Sequence, residues 1–116
     1  MGWLVDLHPL FAEEFEQFSE AVQDELLAEV ELLEKYGPQL SRPHADTLNG
    51  SKHSNMKELR FSADGGVWRT AFAFDPKRKA ILLVAGDKSG GSEKRFYRRL
   101  IKKADERFDD HLNQSA

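Results

Sequence analysis

A chain of 116 residues, 40% of them hydrophobic, is sized for one domain around one core. It has no cysteine, which removes disulfide frameworks and thiolate metal sites and fits a reducing, cytosolic setting. The longest apolar run, Ala80 to Ala85, falls far short of the roughly 20 residues of a membrane helix, and the N-terminus carries no signal-peptide pattern.

The net charge of −3 conceals a partition. Residues 1 to 36 hold 10 acidic side chains and one basic, a net −9; residues 37 to 104 hold 15 basic and 6 acidic, a net +9; residues 105 to 116 hold 4 acidic and one basic, a net −3. Local potential steers a polyanion more than net charge does, so the middle of the chain can attract nucleic acid although the whole is acidic. The plainer meaning of the same pattern is a set of solvated helix faces.

In chain order, Trp3 to Leu7 alternates as a short strand. Pro9 suits a first helical position, and Phe11, Phe15 and Phe18 recur after it at helical spacing. Ser19 can cap a second helix with an apolar stripe of Val22, Leu26, Val30 and Leu33, closed by Gly37 and Pro38. These two predict an antiparallel helical hairpin. The polar, turn-rich stretch from Gln39 to Asn55 reads as a long loop anchored by Leu48. Strands follow at Met56 to Phe61, Val67 to Asp75 and Ala80 to Gly86, joined by the short turns "SADGG" and "DPKRK". A last helix runs from Ser92 to about Asn113, with Phe96, Leu100, Ala104, Phe108 and Leu112 stepping by four. Lys94, Arg95, Arg98, Arg99, Lys102 and Lys103 fill its remaining surface. The predicted order is βααβββα, an α+β domain with the helices gathered on one face of an antiparallel sheet.

Within "VWRTAFAF" the period of two puts Trp68, Thr70, Phe72 and Phe74 on one face and Arg69, Ala71 and Ala73 on the other. The aromatic face belongs under the helices, which leaves Arg69 on an open, small-residue face. On the preceding strand Glu58 and Arg60 share that face if Leu59 and Phe61 are core. The plain alternative is a cross-strand ion pair of Arg60 or Arg69 with Glu58 or Asp75. The functional reading is a phosphate-binding face, because the guanidinium fork matches phosphate oxygens bidentately.

The motifs "LNG", "MKELR", "VWRTAFAF", "VAGDK" and "RFYRRLIKKAD", in this order, resemble the RelE/ParE superfamily of toxin proteins, most closely its HigB-type, phage-associated branch. The resemblance spans nearly the whole chain and is strongest from Arg42 to Asp105. It implies a ribosome-dependent mRNA endonuclease neutralised by an antitoxin, in this branch usually a helix-turn-helix DNA-binding protein. It also implies that Arg69 contacts the reacting phosphate, that Lys88 is the basic residue closing the last strand, that Tyr97 stacks on the scissile nucleotide, and that Arg60 is a further basic site residue. The RelE branch has a lysine pair where this chain has Met56 and Glu58, with Lys57 between them facing the other way.

Cleavage by an RNA 2′-hydroxyl needs a base, cationic stabilisation of the phosphorane and an acid for the leaving oxygen. Arginine supplies only the second. Candidates for the base are Glu58, Lys52, Lys57, and His44 or His53 of the loop, although each loop histidine is more simply a solvated side chain. Lys52, Lys57, Lys94, Arg95 and Arg98 are the candidate RNA contacts. Neither a metal nor another cofactor is implied, since His44, Asp46 and His53 lack metal-site spacing. A second functional class is a non-catalytic relative that inhibits a protein target, as the ParE branch does with gyrase.

Overall fold

The central strands are apolar on both faces, and this decides the architecture. The computed structural model describes residues 2–115. Its elements are β1 (Val5–Leu7), α1 (Pro9–Gln17), α2 (Glu20–Tyr36), a 3-10 turn (Gly37–Gln39), β2 (Ala45–Thr47), β3 (Lys57–Ala63), β4 (Gly66–Phe74), β5 (Ala80–Asp87) and α3 (Glu93–Ser115). The α+β class and the expected element order hold with one addition. A short strand, β2, forms inside the stretch expected to be loop, paired antiparallel to β3 through Ala45 and Leu59. The sheet order is β1-β5-β4-β3-β2, with β1 parallel to β5 and the other neighbours antiparallel.

The helix boundaries follow from local chemistry. Ser19 Oγ accepts the Val22 N–H at 3.3 Å, and Ser92 Oγ accepts that of Arg95 at 3.2 Å, each satisfying an orphan donor of a first turn. Gly37 ends α2 at φ +56°, where a Cβ would meet the Trp3 indole at 2.4 Å, so the position excludes a side chain on two counts.

Contrary to expectation, the helices do not share one face. Phe11 of α1 and Val22, Leu26 and Leu33 of α2 pack with Leu59, Phe61, Phe72 and Leu82 on one side. Leu100, Ala104 and Phe108 of α3 pack with Ala71, Ala73, Ile81 and Leu83 on the other, together with the expected anchor Leu48. The alanines of β4 leave room for a helix, not for a ligand: α3 carries an apolar stripe that only a second apolar sheet face can bury.

A bulge in β5 sets where α3 begins. Ala71 pairs with Val84 and Phe72 with Leu82, so Leu83 is an extra residue, and both Leu83 and Val84 turn toward α3. The inverted alternation brings Gly86 to that face, where a Cβ would lie 2.9 Å from the Phe96 ring. Phe96 therefore seats on bare backbone, and Tyr97 follows it. The far half of α3 is pinned by polar ties. Arg107 donates to the Leu83 carbonyl at 2.8 Å and to Glu14 at 2.6 and 2.8 Å, His8 and Asp110 meet at 2.9 Å, and His111 and Asp75 at 2.8 Å. Among the described residues no helix is long and apolar enough to cross a membrane.

Candidate functional site

Arg60 of β3 and Arg69 of β4 are direct cross-strand partners, and Glu58 stands two residues from Arg60 on the same face, opposite Ala71. Two like charges side by side in a sheet repel, so something must lie between them. Glu58 does, with only 4% of its surface exposed. Its Oε2 accepts from Arg60 Nη1 at 2.7 Å, and its Oε1 accepts from the Tyr97 hydroxyl at 3.0 Å and lies 3.9 Å from Arg69 Nε. Arg69 Nε donates to the Tyr97 oxygen at 3.3 Å, and its Nη1 donates to the Trp68 carbonyl at 2.8 Å. Burial raises the Tyr97 pKa above the ordinary phenol value, and the Glu58 charge raises it further, while the hydrogen bond from Arg69 opposes them. The phenol therefore stays protonated and donates.

Over this network opens a cavity of about 300 Å3. Glu58 and Arg60 form one wall, Tyr97 and Glu93 of α3 a second, and Arg42, Asp46, Thr47 and Asn49 a third, with Lys88 at the rim. Lys88 Nζ meets Glu93 at 2.8 Å and lies 6.0 Å from the centre of the Tyr97 ring. That contact holds the Glu93 carboxyl below its ordinary range. In the lining the cations Arg42, Arg60 and Lys88 balance the carboxylates Asp46, Glu58 and Glu93, and buried Arg69 adds one positive charge beneath Tyr97.

The placement of Arg69 corrects the expectation of an open face. It is 6% exposed and lies beneath α3, covered by Tyr97. The cross-strand alternative is partly realised, in Glu58 with Arg69 at 3.9 Å, while Arg60 pairs with Glu58 along its own strand and Asp75 is taken by His111. Glu58, Arg60, Arg69, Lys88 and Tyr97 come together, and the other candidate bases do not. Lys57 Nζ donates to the Pro38 carbonyl at 3.3 Å, on the α2 side as the alternation demands. His44 meets Glu29 of α2 at 3.1 Å. His53 meets Asp109 at 2.8 Å and lies edge-on to Phe108, and Lys52 pairs with the same Asp109, all at the far half of α3. Neither loop histidine is simply solvated. Lys94, Arg95 and Arg98 are exposed on α3.

Arg42, Asp46, Thr47 and Asn49 were not among the expected site residues. Arg42 Nε and Asp46 meet at 2.8 Å across an i, i+4 spacing that was visible in the chain, but their approach to Glu58 depends on β2 pairing with β3.

Residues 13–109 match the family model described as "Phage derived protein Gp49-like". The chain belongs to this family, the HigB-type branch of the RelE/HigB toxin superfamily. It is similar to two proteins of Mycobacterium tuberculosis, "Putative toxin HigB2", 42% identical over 115 residues, and "Putative toxin HigB3", 49% identical over 83 residues. The first match covers 98% of this chain and 56% of the relative, so the chain spans little more than half that protein's length. The second covers 72% of this chain and 70% of the relative. Two solved structures share the fold. A double arginine-to-alanine mutant of the E. coli toxin RelE in the free state superposes with TM-score 0.63 at 12% identity, over 89% of this chain and 97% of that one. The RelE of the archaeal RelE-RelB complex from Pyrococcus horikoshii gives 0.57 at 17% identity, over 78% and 100%. The pocket described above thus sits on a sheet of the RelE fold.

Proposed function

We propose that the chain is the toxin of a toxin–antitoxin pair and cleaves mRNA on the ribosome, in the cytoplasm, with a helix-turn-helix protein as its antitoxin. The observation that carries the reading is Glu58: a buried carboxylate flanked by two arginines and a phenol, at the floor of a nucleotide-sized pocket also lined by Arg42, Arg60 and Lys88. Homology to HigB-named toxins and a fold shared with the RelE of a RelE-RelB complex support the toxin class and the antitoxin partner.

In this reading the Glu58 carboxylate takes the proton of the 2′-hydroxyl as that oxygen attacks the adjacent phosphorus. Arg60 and Lys88 neutralise the charge that builds on the phosphorane oxygens. The bond from phosphorus to the 5′-oxygen breaks, the Lys88 ammonium or a water returns a proton to it, and the products are a 2′,3′-cyclic phosphate and a 5′-hydroxyl. Tyr97 supports a base with its ring. Arg69 reaches the phosphate only when Tyr97 lifts; in the closed arrangement it holds Tyr97 and balances Glu58. No cofactor takes part.

Primer-extension mapping of cellular mRNA after induction tests the reading. Cuts confined to translated regions are the expected result. Intact mRNA with broken DNA would replace it with inhibition of a protein target such as gyrase.

A further inference from the structure

On the flank of α3 away from the Glu58 pocket lies a cavity of about 430 Å3, bounded by the outer edge of β5. Its floor is Val84, Phe96 and Leu100. β1 pairs with β5 only over Ala80 to Leu82; the Leu82 carbonyl takes the His8 N–H and the Leu83 carbonyl takes Arg107. From Val84 to Asp87 no described strand lies along that edge, and Ala85 and Gly86 are only half-buried. An open edge of this kind is a template for another strand.

Above the edge stand Arg95, Arg99 and Lys103, at i, i+4 and i+8 of α3. None forms an ion pair among the described residues. Lys103 lies near enough to Glu14 to help lower its pKa, but that carboxylate is held by Arg107. Asp87 also borders the cavity, with its carboxylate taken by the Val67 and Ser89 N–H groups and the Ser89 hydroxyl. α3 runs back along β5, since Phe96 stands over Gly86 and Arg107 reaches Leu83. The three cations therefore rise along the edge by about 6 Å each, against about 6.8 Å between same-face residues of a strand.

We propose that this groove binds an extended acidic segment of a partner protein, which adds to β5 as a sixth strand and sets a carboxylate at every second position against Arg95, Arg99 and Lys103. An RNA backbone would answer the cations but leave the strand edge unused. The proposal does not depend on the nuclease reading, because the groove and the Glu58 pocket lie on opposite flanks of α3.

The test is fluorescence anisotropy of the full chain with the labelled heptapeptide Glu-Val-Glu-Val-Glu-Val-Glu. Two N-methylated versions, one blocked at the valine amides and one at the glutamate amides, keep the charge and remove alternate backbone donors. Saturable binding of the parent, a loss of at least tenfold in one methylated version only, and a similar loss with the surface double variant Arg95→Glu/Arg99→Glu are expected. Equal binding of all three peptides would reduce the site to bare charge attraction and overturn the proposal. So would tighter binding of an eight-residue uridine oligonucleotide in competition, or no saturable binding of the parent peptide up to millimolar concentration.

Discussion

Tyr97 lies across Arg69, its hydroxyl bound at once to Arg69 Nε at 3.3 Å and to Glu58 Oε1 at 3.0 Å. One hydroxyl thus joins α3 to β3 and β4 and decides which cations of the sheet face the pocket. Arg60 and Lys88 are reachable, with about a fifth of each side chain exposed (21% and 20%), and Arg69 is not.

The linkage makes Tyr97 titrate late. Its folded-state pKa is raised, so it contributes stability that is fully present below the phenol's ordinary value of about 10 and is lost as pH climbs through the raised one. In a Tyr36→Phe background, ultraviolet titration should show the remaining phenol ionising above the free-tyrosine range. Ionisation at or below the ordinary value would mean that Tyr97 does not donate to Glu58.

Removing the hydroxyl separates its two roles. Tyr97→Phe keeps the ring and should cost about 1 kcal/mol in urea unfolding, the usual worth of a part-buried hydrogen bond. Cleavage should then survive in part, because the ring and Glu58 remain. Arg69→Ala should cost more, about 1 to 3 kcal/mol, since it leaves the buried Glu58 with a weaker counter-charge and the Trp68 carbonyl without its partner. A loss well under 1 kcal/mol in the same measurement would mean that Arg69 is not held as described.

How much of this was legible in the chain depended on distance. The strands β3, β4 and β5, the three helices and the caps Ser19 and Gly37 follow from local period and turn chemistry. Glu58, Arg60 and Arg69 fall on one face by alternation alone. What alternation could not supply was what covers that face: Ala71 and Ala73 look the same whether they border solvent or seat a helix, and only the docking of α3 decides. β2 has no signature in the chain because Ala45–Thr47 is too short to show a period and exists through its pairing with β3. The histidine pairs were illegible for the same reason, His8 meeting Asp110 across 102 positions. On α2 Val30 packs half-buried against the core as its place in the stripe requires, and the position before it, Glu29, is buried as well, made tolerable by His44 and not by apolarity.

The core holds a misfit. Thr70 is fully buried on the α1/α2 face, and its hydroxyl oxygen has no partner among the described residues. Valine has the same shape without the desolvated hydroxyl, so Thr70→Val should stabilise the fold by about 1 kcal/mol in urea unfolding. A destabilised variant would show that the hydroxyl has a partner after all.

The ties of α3 predict an acid limb. The hydrogen bond from Arg107 holds the Glu14 carboxyl below its ordinary range. Burial would raise Asp75, but His111 and the Lys79 and Lys77 N–H groups outweigh it. Both folded-state values are depressed, so their contribution is present above the unfolded carboxyl values near 4 and is lost as pH falls through the depressed ones. Glu14→Gln should flatten the fall of the melting temperature with pH below about 4. An unchanged slope would remove Glu14 from the account.

The central claim is that Glu58 is the base, and Glu58→Gln tests it most directly, because the amide keeps the shape and removes the proton acceptor. On ribosomes programmed with a defined mRNA, the purified variant should cleave at least about 100-fold more slowly than the parent, while circular dichroism and gel filtration show it folded. Cleavage by the folded variant at the parent rate would contradict the account and leave Glu58 as the counter-charge of two arginines.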